Sequence, residues 1–107
     1  MTNDVPTTAE KATLDATTAS FETDVLQESH KRPVIVDFWA SWCAPCRVLG
    51  PVLEELAAED KGEWLLVKVS VEESPELSTQ FEVRGIPAVK AFVNGEVVEN
   101  GAQPIMV

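Results

Sequence analysis

The stretch Val34–Ala40, VIVDFWA, constrains the fold more than any other part of this chain. It is a run of apolar, β-branched and aromatic residues interrupted only by Asp37, and such a run is typical of a strand buried on both faces. After Cys43 the apolar residues are spaced three and four apart as far as Ala57, which predicts a helix with Pro51 as a kink inside it. A buried strand that leads into a helix predicts an α/β fold with helices on both faces of a central sheet.

Two further apolar runs, Glu63–Val71 and Gly85–Val93, predict two more buried strands. Between them Ser74 caps a short helix, with Pro75 at its first position. Asn94-Gly95 is a strong hairpin signal that leads into a last strand, EVVE, which we expect to be short. The resulting order β-α-β-α-β-α-β-β predicts a mixed sheet, parallel inside, with a hairpin at one edge.

The N-terminal part is less regular. Residues 1 to about 11 are polar and rich in threonine, and we interpret them as a mobile tail followed by a weak first strand near Ala12–Ala16. Thr18 is a candidate cap for a helix that presents Phe21 and Val25 on one face. We therefore divide the chain into residues 1–18, the tail with its weak strand, and a folded domain over 19–107.

Composition narrows the function. The chain has 107 residues, enough for one domain, and its 18 acidic and 8 basic residues give a net charge of −10. This balance argues against partners that need a basic patch, namely nucleic acids and anionic membranes. The N-terminus lacks a basic segment followed by an apolar run, so we expect a cytoplasmic protein. In a reducing compartment a cysteine pair is more often catalytic or metal-binding than a permanent staple.

The only two cysteines, Cys43 and Cys46, lie in the motif WCAPC where the strand passes into the helix. A structural zinc site needs four ligands, and the chain adds only His30, on the far side of a buried strand, so we expect no metal. Inert buried thiols do not suit a strand-to-helix junction, where residues of this fold class reach solvent. A redox dithiol explains the spacing. The helix N-terminus stabilises a Cys43 thiolate, Cys46 lies on the same face, and Pro45 fits the first turn.

The segments VDFWASWCAPCR and RGIPAV resemble the thioredoxin family over residues 20 to 104. The resemblance implies a thioredoxin-like fold and a protein-disulfide oxidoreductase that reduces oxidised client proteins. No bound cofactor is implied, and electrons are expected from a thioredoxin-reductase-type partner. Cys43 is expected to be the nucleophile and Cys46 the resolving thiol.

The same resemblance gives roles to three charged residues. Asp37 has the family acid's position six residues before the first cysteine, where it would accept the proton of Cys46 through water. Sequence alone leaves a structural Asp37, capping a backbone group, equally open. Lys68 matches the family's lysine near that acid, although a surface lysine fits the sequence better. Arg47 is either a solvated base or a support for the thiolate and for partner contact.

Substrate contacts also follow from the resemblance. Pro87 matches the family's cis-proline facing the cysteines, although a trans bond is the usual state. Ile86 would present its backbone to an extended client segment, as in β-type pairing. We expect Trp42, Gly85 and Ala88 to form a shallow apolar rim, with Ala44 and Pro45 also facing the client. Trp39 is expected to pack beneath the site.

Two departures from the family stand out. Ala44 replaces the glycine that is commonest between the cysteines, and the C-terminal end GAQPIMV stops where the family continues into a final helix. We therefore expect a truncated chain with an uncovered sheet face, monomeric or else dimeric through that face. The segment GIPAVKAF also resembles the thioredoxin domain that precedes tetratricopeptide repeats in holdase chaperones. A binding module of that kind is the alternative function.

Overall fold

The computed structural model of the protein describes residues 11–101, and side chains as far as Val98. It contains a five-stranded mixed sheet in the order β1-β3-β2-β4-β5, which confirms the predicted thioredoxin-like architecture. The predicted mobile tail over residues 1–10 and the question of a final helix both lie outside the described residues. The bounds are β1 Thr13–Asp15, β2 Val34–Trp39, α1 Ala44–Glu59, β3 Leu65–Ser70, α2 Pro75–Gln80, β4 Ala88–Val93 and β5 Glu96–Gly101.

Strands β1, β3 and β2 are parallel, whereas β4 and β5 are antiparallel to their neighbours. Strand β1 pairs with β3 and is therefore part of the sheet, although the sequence-based division sets it apart from the domain. The last strand is longer than the predicted EVVE because it pairs with β4 as far as Gly101. Between β4 and β5, Asn94 and Gly95 adopt φ values of 54° and 81°, as a tight hairpin requires.

The two faces of the sheet carry different side chains because successive residues of a strand point to opposite sides. Val34, Val36 and Phe38 of β2 face a core that also contains three aromatic neighbours: Phe21, Phe81 directly after α2, and Phe92 of β4. Ile35, Asp37 and Trp39 alternate with them and therefore point to the opposite face, toward α1. Helices thus cover both faces, as predicted, and the charged Asp37 lies on the α1 side.

The segment before β2 is helical but irregular. Glu22–Gln27 form a π-helix, and Glu28–His30 continue it as a 3₁₀ turn. The prediction of Thr18 as its cap is wrong, because Thr18 binds across to α2: its N–H donates to Ser74 Oγ and its hydroxyl to Glu76. Ser74 and Pro75 do begin α2 as predicted, although the Ser74 side chain makes no cap bond to its own helix.

A buried ion pair joins this segment to the rest of the domain. Arg32 Nε donates to Glu28 Oε2 at 2.8 Å, and its Nη1 donates to the carbonyl oxygens of Lys11 and Gly62. Both charged side chains are at least nine-tenths buried. Burial of two ions is costly, so the bridge depends on having both partners present.

We expect Arg32→Ala to lower the free energy of unfolding by about 3 kcal/mol, because it leaves the Glu28 carboxylate buried without its partner. Urea denaturation measures the change. The matched control is Lys31→Ala at the exposed neighbouring position, where we expect a change within about 0.5 kcal/mol. Equal losses in the two variants would contradict a structural role for the pair.

Candidate active site

The cysteine pair lies at the start of α1, as the sequence predicts. Cys43 is the N-cap residue, with an extended backbone at φ −94° and ψ 106°, and Pro45 occupies the first turn. Cys43 and Cys46 are joined by a disulfide, with their Cα atoms 5.3 Å apart. Both cysteines are buried, at 5% and 3% exposed, and they cluster with Ala40, Trp39, Val71 and Ile86.

The helix end supplies a hydrogen-bond donor to the first sulfur. The backbone N–H of Cys46 points at Cys43 Sγ, with an N···S distance of 3.2 Å. In the reduced pair the same N–H and the positive end of the helix dipole stabilise a thiolate at Cys43. No comparable donor reaches Cys46 Sγ among the hydrogen bonds of the described residues. The local geometry therefore favours Cys43 as the attacking sulfur.

A groove of about 550 Å³ begins at Trp42, directly before Cys43. Trp42 is 65% exposed, and Gly85 and Ile86 also line this groove. Ala88, expected at this rim, is instead buried in the main core, because it pairs with Phe38 in the centre of the sheet. None of the other six lining residues was a candidate from the sequence; they come from the β3–α2 turn, α2 and the loop after it: Val71, Pro75, Ser78, Thr79, Val83 and Arg84.

The Ile86–Pro87 peptide bond is cis, as the family resemblance predicts. Ile86 packs against the cysteine cluster, which places this loop beside the disulfide. Ala44 and Pro45 are exposed at the start of α1, and so is Arg47, whose guanidinium donates to the Ser41 carbonyl oxygen at 3.0 Å. Arg47 therefore braces the turn that precedes the helix.

Behind the cysteines lies a second cavity of about 210 Å³ that brings Cys46 and Asp37 together. Asp37 is 1% exposed, and neither oxygen of its carboxyl group is hydrogen-bonded to any of the residues 11–101. Burial raises the pKa of Asp37 from 3.8 to about 6; the positive charge of Lys68 opposes this rise and the negative charge of Glu54 adds to it. An acid with this pKa can exchange a proton near neutral pH.

Lys68 is directly opposite Asp37 in the β2–β3 register. Its ammonium group binds Glu54 of α1, with Nζ 2.6 Å from Oε2, and lies 5.3 Å from the centroid of the Trp39 ring. Lys68 is therefore no surface lysine, although sequence alone favours that interpretation. Glu54 was not a candidate from the sequence; only its spacing of eight from Cys46 along α1 could have suggested the same helix side.

Two other properties concern the whole of the described chain. Within residues 11–101, no cluster of three or more histidine, cysteine or acidic side chains could hold a metal ion. No helix in that part is both long enough and apolar enough to cross a membrane. The large apolar side chains most exposed there include Val48, Val52 and Leu56, which are four residues apart along α1.

The chain combines a mixed sheet, a Cys-x-x-Cys disulfide at a helix N-terminus and a cis-proline beside that disulfide. These features define the class of thiol-disulfide oxidoreductases with a thioredoxin-like fold. Comparison with known proteins specifies the family. The thioredoxin family model matches residues 12–104. The chain belongs to the thioredoxin family, whose members are protein-disulfide oxidoreductases.

Three similar proteins, all from bacteria, illustrate the relationship. The chain is 46% identical over 88 residues to a thioredoxin of Mycobacterium tuberculosis, covering 82% of this chain and 74% of that protein. It is 41% identical over 92 residues to a thioredoxin of Chlorobaculum thiosulfatiphilum, covering 84% and 83%. A bifunctional thioredoxin reductase/thioredoxin of Mycobacterium leprae is 44% identical over 87 residues; the match covers 81% of this chain but only 19% of that longer protein.

Proposed function

We propose that this protein reduces disulfide bonds in client proteins in the cytoplasm, acting as a monomer. The single observation that carries the proposal is the Cys43–Cys46 disulfide at the N-terminus of α1, next to the exposed groove at Trp42. The groove can receive an extended client segment, with Trp42 on one side and Gly85, Ile86 and Pro87 on the other. Since both cysteines come from one chain, the site needs no second copy.

In the first step the Cys43 thiolate attacks one sulfur of a client disulfide. The client S–S bond breaks, a mixed disulfide forms with Cys43, and the departing client thiolate takes a proton from solvent. Cys46 then attacks Cys43 Sγ and releases the second client thiolate. Two electrons pass to the client, and the Cys43–Cys46 disulfide remains.

For the second step Cys46 must lose its proton. Asp37 lines the same cavity as Cys46, and its pKa of about 6 leaves it ionised and able to accept a proton at neutral pH. We therefore assign Asp37 as proton acceptor for Cys46. Lys68 sets the charge around Asp37, and Arg47 braces the start of α1 through Ser41.

The disulfide must be reduced again after each turnover. We propose a thioredoxin-reductase-type electron donor, supported by the bifunctional Mycobacterium leprae relative, whose name joins a reductase to a thioredoxin. No cofactor bound to this chain is required for thiol-disulfide exchange. Neither the fold nor the relatives reported above favour the alternative module of a tetratricopeptide-repeat chaperone, so we do not propose it.

A redox titration tests the proposed activity. In a series of dithiothreitol buffers of increasing reduction potential we expect one reversible two-electron transition. The ratio of reduced to oxidised protein should change tenfold for each change of roughly 30 mV in the buffer potential. Tryptophan fluorescence should report it, because Trp39 packs on the cysteine cluster and Trp42 precedes Cys43. A transition at the more oxidising potentials of glutathione buffers would contradict a reductant.

The control for this titration is Trp64→Phe. Trp64 lies directly before β3, at the end of the sheet away from the cysteines, and donates its indole N–H to Asp60 at 2.6 Å. Its removal should leave both the midpoint and the direction of the fluorescence change intact. A change that disappears with Trp64 would mean that the signal does not come from the cysteine site.

A further inference from the structure

The cavity behind the cysteines contains a charge arrangement that the exchange reaction by itself does not explain. Asp37 is faced by Lys68 from β3 and by Cys46, Arg47 and Glu54 from α1, while its partner on β4 is the apolar Val89. Register places Lys68 beside Asp37, yet the short contact of the Lys68 ammonium is with Glu54, at 2.6 Å. The Asp37 oxygens receive no hydrogen bond from it.

The surroundings of the ammonium group explain why it lies toward α1. The Trp39 ring lies on one side, 5.3 Å from Nζ to its centroid, and attracts a cation through its π face. The helix approaches at Gly50, where a Cβ atom would be in ordinary van der Waals contact with Nζ, at 3.7 Å. The ammonium group therefore lies between the helix and the sheet, and Glu54 binds it there.

We propose that Glu54 is a positioning residue for the exchange reaction: by binding Lys68 Nζ it withholds the ammonium group from Asp37 and so keeps Asp37 basic enough to take the proton of Cys46. The inference rests on the proposed role of Asp37. Two effects act in the same direction, since the Glu54 carboxylate also repels the ionised form of Asp37. Loss of Glu54 removes the repulsion and frees Lys68 to pair with Asp37, which lowers the pKa of Asp37.

The position of Glu54 fits this role. Its side chain is 41% exposed, whereas the Lys68 side chain is 20% exposed and Asp37 is almost fully buried. The negative charge of Glu54, at the solvent end of the cavity, therefore acts through Lys68 on the proton affinity of the buried Asp37. A partly exposed ion pair contributes little to stability by itself, so the effect of Glu54 should appear in the titration of Asp37 rather than in folding.

The test compares Glu54→Gln with Glu55→Gln, which removes the same charge at the next, exposed position of α1. The Asp37 carboxyl carbon is titrated by NMR in the reduced protein, and resolution of a mixed disulfide by Cys46 is followed by stopped flow. In Glu54→Gln we expect the Asp37 titration to move about one pH unit toward acid. Resolution at pH 7.5 should slow about threefold, because the acceptor is a weaker base. Glu55→Gln should change neither.

The same substitution in a Lys68→Met background separates positioning from direct repulsion. If Glu54 acts mainly through Lys68, most of its effect on the Asp37 titration disappears there. An undiminished shift in that background would overturn the positioning role, and so would an unchanged Asp37 titration in Glu54→Gln. A shifted titration with an unchanged rate of resolution would instead refute Asp37 as proton acceptor, and the role of Glu54 in the reaction with it.

Discussion

Cys46→Ser is expected to turn the protein into a trap for its clients. Cys43 keeps the backbone N–H of residue 46 and the helix N-terminus that stabilise its thiolate, so attack on a client disulfide survives. The resolving sulfur is gone, so the mixed disulfide persists until another thiol attacks it. Multiple turnover should fall to the background rate, while a covalent adduct accumulates in a ratio of one client to one chain.

Non-reducing electrophoresis and intact mass measurement with a disulfide-containing client protein would detect the adduct. The matched control is Cys43→Ser, which should lose turnover just as completely but form no adduct. If Cys43→Ser traps clients and Cys46→Ser does not, the assigned order of the two sulfurs is reversed. The comparison is sharp because the two variants differ only in which sulfur of the same helical turn remains.

The second large effect concerns the stability cost of Asp37. Its pKa is 3.8 for the free group and about 6 in the folded protein, and that difference corresponds to about 3 kcal/mol. Because the folded state binds the proton more tightly than the unfolded state, the cost is small at pH 4 and vanishes at still lower pH. It grows between pH 4 and pH 6 and is complete above pH 6. Asp37→Asn should therefore raise the free energy of unfolding at pH 8 by about 2.5 kcal/mol more than at pH 4.

Denaturant unfolding of the oxidised protein at both pH values measures this difference. The same variant should resolve mixed disulfides at least about 100-fold more slowly at pH 7.5, since an amide cannot accept the proton of Cys46. A suitable control is Glu59→Gln, which removes the charge of an exposed acid in the last turn of α1. A gain in stability that does not depend on pH would show that packing, and not ionisation, sets the cost of Asp37. An unchanged rate of resolution would make Asp37 a structural residue.

Much of the fold could be predicted from local sequence signals, because each of them depends on only a few neighbouring residues. The apolar run at Val34 fixed a buried strand, helical spacing after Cys43 fixed α1, and Asn94-Gly95 fixed the hairpin through its positive φ angles. The irregular segment Glu22–His30 was harder to predict. The carbonyl oxygen of the buried Ser29 accepts a hydrogen bond from the backbone N–H of Asn94, and its hydroxyl accepts one from the backbone N–H of Gly95. No local sequence pattern encodes these contacts across the fold.

By itself the sequence determined that two cysteines lie in one helical turn after a buried strand, because that depends only on spacing and periodicity. Only the tertiary structure decided what surrounds them. The β2–β3 register placed Lys68 opposite Asp37, and the packing of α1 on the sheet brought Glu54 to that lysine. Electrostatic interactions between buried groups depend on distances of a few ångströms between segments far apart in the chain, and those distances exist only after the sheet and helix have packed.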